Sequence, residues 1–303
     1  SSKCPKKERS FSSFSFFIHT NLIDNVFTIN INYRSKHLNL YMLQKIGFYL
    51  IFFFNGVSKY KIHSPLIHEL IENVLNKEKI FYSFLGIEHL RSLLLKDSSP
   101  ILIRNLGKGS HTIKGLKTTI KNLTKKVQSS PKKAQILFKL INFYDSKSIL
   151  EIGTSLGLTT AYLSNANKNS SVTTIEGDPN LYLLAKKNFQ KLSLKNITIH
   201  NGDFDILLPK IFKNKFDFIF FDGNHSKEAT LKYFNWALDN YNEEAIFVFD
   251  DIYWSNGMKE AWMEIYNHPK VMMSLDIFSL GIVFFKKNRE KEHINLIHSS
   301  NFC

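Results

Sequence analysis

The stretch from Ser148 to Asp178 constrains the fold of this 303-residue chain more than any other part of the sequence. It reads as an apolar strand ending near Glu151, a glycine turn, a helix, and a second apolar strand that ends at Glu176. Glycine at the carboxyl end of a strand lets the turn approach a ligand closely, and the next helix presents its first amide groups to that ligand. The stretch therefore predicts a βαβ unit with a ligand-binding turn.

The spacing of the glycines narrows the choice of ligand. Dinucleotide-binding turns usually read G-x-G-x-x-G, because a pyrophosphate needs a second glycine for close approach. Here Gly153 and Gly157 are four residues apart, and Glu151 precedes the first of them by two. An acid such as Glu176 at the end of the next strand can accept hydrogen bonds from ribose hydroxyls. The unit is thus predicted to bind a nucleoside, with a turn that departs from the dinucleotide pattern.

The string E-I-G-T-S-L-G at 151–157 resembles motif I of class I S-adenosylmethionine-dependent methyltransferases. The resemblance implies cofactor-binding residues at the strand ends: Glu151, Gly153, Thr154, Ser155, Gly157, Glu176, Gly177, Asp203 and Asp222. Within this set, it implies that Glu151 lies near the cofactor's ammonium group. It also implies that Glu176 binds the ribose and that Asp203 lies against the adenine edge.

From residue 148 onward, strand-like and helix-like segments alternate, as a doubly wound sheet requires. The predicted strands are 148–152, 171–176, 197–201, 216–222 and 245–250, followed by a hairpin of 271–277 and 281–286. The predicted helices are 158–165, 180–192, 227–240 and 256–266. Seven strands that end in a hairpin resemble the class I methyltransferase sheet, whose last strand is antiparallel. The expected fold is α/β and Rossmann-like, with a mainly helical N-terminal extension.

Charge divides the chain into two halves. Residues 1–147 hold 24 Lys and Arg against 8 Asp and Glu, whereas residues 148–303 hold 16 against 18. We expect a poorly defined extension over 1–58, a helical basic cap over 59–147, an S-adenosylmethionine-binding methyltransferase domain over 148–288 and a tail over 289–303. Because Cys4 and Cys303 are the only cysteines, no disulfide framework is indicated, and a reducing cytoplasm fits best.

The segment Leu38–Phe54 is apolar but contains Gln44 and Lys45. Its unbroken core, Ile46–Phe54, is too short to span a bilayer. We therefore expect an amphipathic helix that covers the catalytic domain or a membrane surface, with a transmembrane span as the alternative.

A lysine run precedes the βαβ unit on a helical or frayed segment: Lys114, Lys117, Lys121, Lys125, Lys126, Lys132 and Lys133. A run of this kind is typical of a solvated face. The alternatives are contacts with an acidic substrate, nucleic acid or anionic lipid.

A second group of polar residues follows the fourth and fifth predicted strands, as Asp222-Gly223-Asn224-His225 and Asp250-Asp251. Adjacent strands bring both groups together, and converging carboxylates repel one another unless a cation joins them. Oxygen ligands suit Mg²⁺. We therefore predict that Asp222, Asp250 and Asp251 hold a metal ion. The alternative is that one acid orients the substrate, another caps a helix, and no metal binds.

These groups resemble the metal sites of O-methyltransferases of the catechol and macrolide-sugar types. The resemblance implies that the ion holds two neighbouring substrate oxygens and lowers the pKa of the attacking hydroxyl. His225 stands where the catechol type carries a lysine base, and histidine can accept a proton near neutral pH. His225 and Asp222 are therefore the predicted catalytic residues; the alternative for His225 is a loop or capping role. Tyr253, Trp254 and Ser255 are predicted to line the acceptor pocket, and Trp262 the core.

Residues 62–286 together resemble a group of class I methyltransferases with an N-terminal helical extension. The resemblance is carried by HSP at 63–65, LEIGTSLG at 150–157, TIEGDP at 174–179, FFDGNH at 220–225 and DDIYWS at 250–255. It implies the fold and the cofactor but no particular acceptor. We predict S-adenosylmethionine-dependent O-methylation of a small-molecule hydroxyl, with Mg²⁺ as a candidate second cofactor.

Two other functions stay open at this point. A nucleic-acid methyltransferase would suit the basic first half, but the fourth strand is followed by DGNH instead of an N/D-P-P-Y/F string, and neither cysteine lies near the site. The chain could also be a non-catalytic S-adenosylmethionine-binding protein. Peripheral membrane contact through the N-terminal segment is a further expectation, and the sequence leaves the oligomeric state open.

Overall fold

The computed structural model describes residues 40–104, 116–126, 129–286 and 290–298, and the statements below concern these residues. The chain divides into two compact units, residues 1–44 and residues 45–303. In the first unit, the described residues form the opening of one helix. Lys114, both cysteines, most of the predicted extension and the end of the predicted tail lie outside the described residues.

Ten α-helices are found among the described residues: α1 Leu40–Asn55, α2 Pro65–Leu70, α3 Ser83–Leu94, α4 Ile120–Lys126, α5 Pro131–Tyr144, α6 Leu158–Ala166, α7 Pro179–Lys191, α8 Phe204–Ile211, α9 Lys227–Leu238 and α10 Asn256–Asn267. A 3₁₀ turn at Lys59–Lys61 precedes α2, and a π-helical turn at Ile71–Leu75 continues it.

The described strands are β1 Val57–Ser58, β2 Pro100–Ile103, β3 Leu116–Thr119, β4 Ser148–Ile152, β5 Ser171–Glu176, β6 Ile197–Asn201, β7 Phe218–Phe221, β8 Ile246–Asp250, β9 Met273–Asp276, β10 Leu280–Phe284 and β11 Glu292–Ile297. β2 and β3 form a separate two-stranded sheet. The other nine strands form one sheet in the order β1-β11-β9-β10-β8-β7-β4-β5-β6.

The large sheet confirms the predicted α/β, Rossmann-like class. β4, β5, β6, β7 and β8 are paired in parallel, whereas β10 is antiparallel to its neighbours β8 and β9. All seven predicted strands are present, and β11 and β1 extend the sheet beyond the hairpin. Because β4, β7 and β8 are neighbours and parallel, their carboxyl ends lie side by side at one edge.

The large sheet is buried on both faces, and successive residues of β7 show this directly. Phe218 and Phe220 belong to one hydrophobic cluster, while Ile219 and Phe221 belong to another. This alternation follows from the two-residue period of a β-strand. The first cluster also contains side chains from α2, α3 and α5. The segments before the βαβ unit therefore share the core of the sheet.

The helix α1 packs over the loop that follows β8. Phe48 and Phe52 are buried, and their rings contact Tyr253 at centroid distances of 5.8 and 6.3 Å. Phe54, on another face of the helix, is 77% exposed. This segment thus covers the domain, one of the two positions predicted for it. No helix within the described ranges is long and apolar enough to traverse a bilayer.

Trp262 anchors α10 to the sheet through a hollow at Gly281 of β10. The indole is 1% exposed, as the predicted core role requires, and its Nε1 donates a hydrogen bond to Asp276 Oδ2 at 3.0 Å. A Cβ atom built on Gly281 would lie 2.6–2.8 Å from three atoms of this ring. The close contact between helix and sheet therefore depends on the missing side chain.

Gly281→Ala is expected to lower the free energy of unfolding by about 1–3 kcal/mol, because a buried indole has no room to retreat. The matched control is Gly257→Ala in α10, where an added Cβ would lie 3.5 Å from its nearest neighbour, the Lys227 Cβ. In a helix, alanine is favoured over glycine, so this variant should be neutral or slightly stabilising. Urea unfolding of both variants measures the difference, and equal midpoints would contradict it.

Candidate active site

The turn after β4 lies against the residues that follow β7. The backbone amide of Asp222 donates to Ile152 O at 3.0 Å, and that of Gly153 donates to Ile175 O at 3.1 Å. Gly153 has φ +106°, and a Cβ there would lie 2.5 Å from Asp222 O. Only glycine suits both the positive φ and this contact. The residue at 153 therefore lets the ends of β4, β5 and β7 converge.

Glu176 ends β5 and closes onto the same turn. Its Oε2 accepts a hydrogen bond from the Ser155 amide at 2.6 Å, and its Oε1 accepts one from the Asp178 amide at 2.9 Å. Burial raises the pKa of Glu176, while these backbone donors act in the opposite direction. A carboxylate has about four acceptor positions, and the Thr154 amide acts on Glu176 as a third backbone donor, which leaves one position for a ribose hydroxyl. This donor set fits the ribose-binding role implied by the resemblance.

The other predicted cofactor residues occupy the same edge of the sheet. Thr154 Oγ1 lies 2.6 Å from Thr174 Oγ1. Gly157 precedes α6 with φ +77°, and Gly177 lies between Glu176 and the cap of α7. Asp203 is exposed and caps α8, where its Oδ1 accepts from the Asp205 amide at 2.8 Å. The structure brings these positions together, and their contacts with a cofactor stay predictions.

Glu151 is fully buried beneath the turn. Its Oε2 accepts hydrogen bonds from Thr160 Oγ1 at 2.5 Å and Thr174 Oγ1 at 2.7 Å. Its Oε1 is buried without a hydrogen-bond partner in the part of the chain that the structure describes. Burial raises the pKa of Glu151 to about 8, against the effect of the two threonines. The carboxyl group is thus largely protonated at neutral pH; its place near a cofactor ammonium stays a prediction.

The three acids predicted as metal ligands meet at the ends of β7 and β8, and a lysine lies among them. Lys133 Nζ is 2.6 Å from Asp250 Oδ1 and 3.3 Å from Asp251 Oδ1. The Lys133 side chain is only 8% exposed. Burial alone would lower the pKa of this lysine, but the charges of Asp250, Asp251 and Asp222 raise it above its ordinary value. Lys133 is therefore a cation in this cluster.

The acids of the cluster differ in their protonation. Burial, together with the Asp250 carboxylate beside it, raises the pKa of Asp222 well above its usual value. Burial would also raise the pKa of Asp251, but the positive charges of Lys133 and His225 and of Lys45 in α1 lower it. Asp222 and Asp250 lie within hydrogen-bond reach of each other. A proton held by this pair and the Lys133 ammonium together reduce the repulsion among three carboxyl groups.

His225, the predicted base, borders this cluster. Its Nε2 lies 3.7 Å from Asp222 Oδ1, which is beyond hydrogen-bond distance but close enough for an ion pair. The side chains of His225 and Asp222 are 28% and 22% exposed. Ser226, the next residue, caps α9 by accepting from the Ala229 amide, so His225 itself is not the cap. The ring is therefore placed where it can reach a ligand from the open side.

A chain of polar contacts fixes the start of α5, which carries Lys133. Arg91 Nη1 donates to Ser129 O at 3.2 Å, and Arg91 Nε is 3.0 Å from Glu88 Oε1. Ser130 then caps the helix by accepting from the Lys133 amide at 3.2 Å. Tyr162 of α6 donates to Glu88 at 2.8 Å and so ties this chain to the βαβ unit.

Lys133 is the functional candidate that sequence reasoning missed. The interpretation of the lysine run as a solvated face holds for its exposed members Lys117, Lys125, Lys126 and Lys132. For Lys133 it is wrong, because this side chain points into the acidic cluster instead. The sequence did contain one signal: Lys133 lies in the first turn of a helix, where the helix dipole disfavours a positive charge. The exposed Lys132 lies in the same turn, so this signal alone does not identify the buried lysine.

The three acids predicted to bind a metal ion lie close together, but Lys133 is within hydrogen-bond distance of two of them, Asp250 and Asp251. Across the ranges that the structure describes, no group of three or more His, Cys, Asp or Glu side chains is arranged to hold a metal ion. Mg²⁺ prefers octahedral oxygen coordination at about 2.0–2.1 Å. An ammonium group directed at the same oxygens competes with such an ion, so the residues in this arrangement do not fit Mg²⁺.

The residues after β8 are held by a buried acid that the sequence analysis did not single out. Tyr253 Oη donates to Asp276 Oδ2 at 2.8 Å, and the Phe278 amide donates to Asp276 Oδ1 at 2.7 Å. Tyr253 also stacks on Phe278 at 5.0 Å. Ser255 caps α10 by accepting from the Met258 amide at 3.1 Å. Their role in an acceptor pocket stays a prediction, but the loop has a defined shape.

A separate open cavity of about 760 Å³ lies near the starts of β9 and β11, lined among others by Lys61, His63, Met273 and His293. None of the residues predicted for the cofactor or for catalysis lines it. The strand ends are therefore the better candidate site.

Comparison with known proteins agrees with the geometry. Residues 150–252 match a family model described as a methyltransferase domain. A catechol O-methyltransferase of Niastella koreensis is 30% identical over 131 residues, which cover 42% of this chain and 58% of that protein. A protein-L-isoaspartate O-methyltransferase of Methanococcoides burtonii is 31% identical over 83 residues, covering 27% and 41%. The matches thus span less than two thirds of these curated relatives.

Solved structures resemble this chain at low sequence identity. A methyltransferase of Podospora anserina bound to S-adenosylhomocysteine has a TM-score of 0.53 at 14% identity, covering 75% of this chain and 97% of that one. An O-methyltransferase of Bacillus cereus, also with S-adenosylhomocysteine, has a TM-score of 0.49 at 19% identity, covering 72% and 97%.

Glu151→Gln is expected to remove a pH dependence of stability. The folded-state pKa of about 8 lies above the ordinary 4.5, so the stability that the neutral form gives is present below pH 4.5. It is lost as pH rises through 8. Relative to Glu151→Gln, the wild type should therefore lose on the order of 3–5 kcal/mol of unfolding free energy between pH 5 and pH 8.5.

Urea unfolding at both pH values measures this difference, with Glu78→Gln at an exposed position as the control. Parallel pH profiles for wild type and Glu151→Gln would show that the buried carboxyl group does not titrate as described.

Proposed function

We propose that the chain is a class I S-adenosylmethionine-dependent methyltransferase that methylates a hydroxyl group of a small molecule, and the match of residues 150–252 to a methyltransferase domain supports this. The observation that carries the proposal is the convergence of Glu176, the turn at Gly153 and the acids after β7 and β8 at one sheet edge. Ligands in open α/β sheets bind outside the carboxyl ends of the strands.

We assign the cofactor side of the site to the ends of β4, β5 and β6. Glu176 holds the ribose through its remaining acceptor position, and the backbone of the Gly153 turn borders the methionine portion. Asp203, exposed at the start of α8, borders the adenine. Bound S-adenosylmethionine supplies a methyl group on a sulfonium, whose transfer to oxygen breaks the C–S bond and leaves the electron pair on sulfur.

The acceptor side consists of the residues after β7 and β8. His225 accepts the proton of the acceptor hydroxyl, and the ionised Asp251, whose pKa is lowered by the charge of His225, stabilises the imidazolium that results. The loop with Tyr253, covered by Phe48 and Phe52 of α1, excludes water from the acceptor. Correct positioning of the two reactants contributes much of the rate increase in such a reaction.

A small-molecule hydroxyl is favoured over other acceptors for two reasons. The catechol O-methyltransferase named above acts, by its description, on a small phenol. In addition, Lys45 of α1 lies over the Trp254 ring at 5.8 Å, so the covering helix borders the residues that follow β8. Assistance by Mg²⁺ stays a prediction from the sequence, and the position of Lys133 speaks against it.

Glu176→Gln is expected to weaken S-adenosylmethionine binding by about 10- to 100-fold, since charge-assisted hydrogen bonds to the ribose are replaced by weaker ones. Titration calorimetry with S-adenosylmethionine and S-adenosylhomocysteine measures this directly. Glu78→Gln, at an exposed position remote in sequence from the strand ends, serves as the control and should bind like the wild type.

If the wild type bound neither compound, the proposed function would be wrong. Cofactor binding with salt-sensitive retention on RNA or DNA, and with methyl transfer to it, would instead favour a nucleic-acid methyltransferase. Cofactor binding without turnover on any acceptor would favour a non-catalytic role.

His225→Gln is expected to lower kcat by about 10²- to 10⁴-fold, because the variant cannot accept the hydroxyl proton. The affinity for S-adenosylmethionine should stay within about twofold of the wild type, since the imidazole lies on the acceptor side. Transfer of labelled methyl groups to a panel of phenols and sugars gives kcat, and calorimetry gives the affinity. An unchanged kcat would remove His225 from the mechanism.

A further inference from the structure

A side chain lies where the sequence predicts a divalent ion. Lys133 Nζ is at hydrogen-bond distance from Asp250 and Asp251, at 2.6 and 3.3 Å, and the Asp222 charge also acts on it. We propose that Lys133 takes the place of the divalent ion: its ammonium compensates the carboxylates and holds the acceptor oxygen during transfer. The role of Lys133 toward the acceptor oxygen rests on the proposed function.

Lys133 differs from an ordinary surface lysine in its burial and in its position on the helix. The residue is 7% exposed and is the third residue of α5, where a helix carries partial positive charge. Both the burial and the dipole disfavour an ammonium group at this point. The carboxylates of Asp250 and Asp251 compensate for both, so the lysine and the acids depend on each other for their placement.

The cluster is also open enough to receive an acceptor. The side chains of Asp222, Asp251 and His225 are between 22% and 28% exposed, so solvent reaches them from one side. An ammonium group has three donors, and the structure shows hydrogen bonds from Lys133 to two aspartates. The third donor can therefore contact an oxygen that enters from the open side.

The proposed step leaves the charge of Lys133 unchanged. The acceptor hydroxyl gives its proton to His225, and an oxygen lone pair forms the new bond to the methyl carbon. The electron pair of the broken C–S bond stays on sulfur, which becomes neutral. Lys133 stabilises the oxygen as it gains negative charge and neither gives nor takes a proton. A preorganised cation of this kind acts where the charge develops.

The proposal that Lys133 replaces a divalent ion can be tested on the full chain, with Mn²⁺ as the only added ligand. Lys133→Met keeps an unbranched side chain that is one atom shorter and removes its charge, so the acids should now bind one Mn²⁺ ion at least 10-fold more tightly than the wild type does. Lys132→Met is the matched control, because Lys132 is adjacent and exposed. Electron paramagnetic resonance of free Mn²⁺ during a titration gives the affinities, and thermal unfolding with and without Mn²⁺ gives a second readout.

The expected result is new Mn²⁺ binding in Lys133→Met only. Tight binding of one ion by the wild type, or a folded Lys133→Met that gains no ion, would overturn the proposal. If the variant is unstable alone, Mn²⁺ should raise its melting temperature, and a variant that stays unfolded in Mn²⁺ would also overturn it. Neither readout involves methyl transfer. Failure of the wild type to bind S-adenosylmethionine would therefore refute the proposed function separately.

Discussion

Charge compensation at the carboxyl ends of β7 and β8 is the constraint on which the candidate site depends. Parallel neighbouring strands bring Asp222, Asp250 and Asp251 together, and their mutual repulsion has to be balanced for the chain to fold in this way. Lys133 provides that balance from α5, although it precedes Asp250 by 117 residues. An unpaired charge buried at such a place would be strongly destabilising. The lysine and the acids therefore stabilise each other in the folded state.

This pairing explains why the first half of the chain shares the core of the sheet. α5 carries Lys133 and also buries Leu137, Leu140 and Ile141 in the hydrophobic cluster of one sheet face. On the other side of the site, Phe48 and Phe52 of α1 are buried against the loop after β8. Segments that read as a basic cap and an uncertain extension thus contribute a charge and a cover to the candidate site.

Much of the sheet could be predicted, because its strands are short apolar runs that end in acids or glycine. The strands at 148–152, 171–176 and 197–201 have the predicted bounds. α8 escaped prediction because Pro209 lies inside it, and proline in a sequence usually argues against a helix. β11 escaped because Glu292 and His293 begin it, and its strand conformation depends on pairing with the distant strands β9 and β1.

The candidate site was predictable to a different extent on its two sides. The acids and the glycine turn are local patterns, each within a few residues of a strand end, so one sequence is enough to find them. The position of Lys133 is a tertiary fact: seven lysines lie in one run, and periodicity does not distinguish the buried one. Asp276 was missed for the same reason, since its partners Tyr253 and Trp262 are 23 and 14 residues away.

A lysine and a divalent ion solve the same electrostatic problem with different consequences. The ion carries two charges and can chelate two neighbouring oxygens, whereas an ammonium carries one and contacts an oxygen through a single hydrogen bond. With Lys133 as the cation, an acceptor has no need of two adjacent hydroxyls. Lys133 carries one positive charge fewer than a divalent ion, and the raised pKa of Asp222 removes one negative charge from the cluster to match. The cation is also part of the chain, so it is in place whenever the fold is formed and does not depend on the metal concentration. The protonated carboxyl pair and the buried lysine therefore act together: a cation that belongs to the chain balances the acids in place of a bound metal ion.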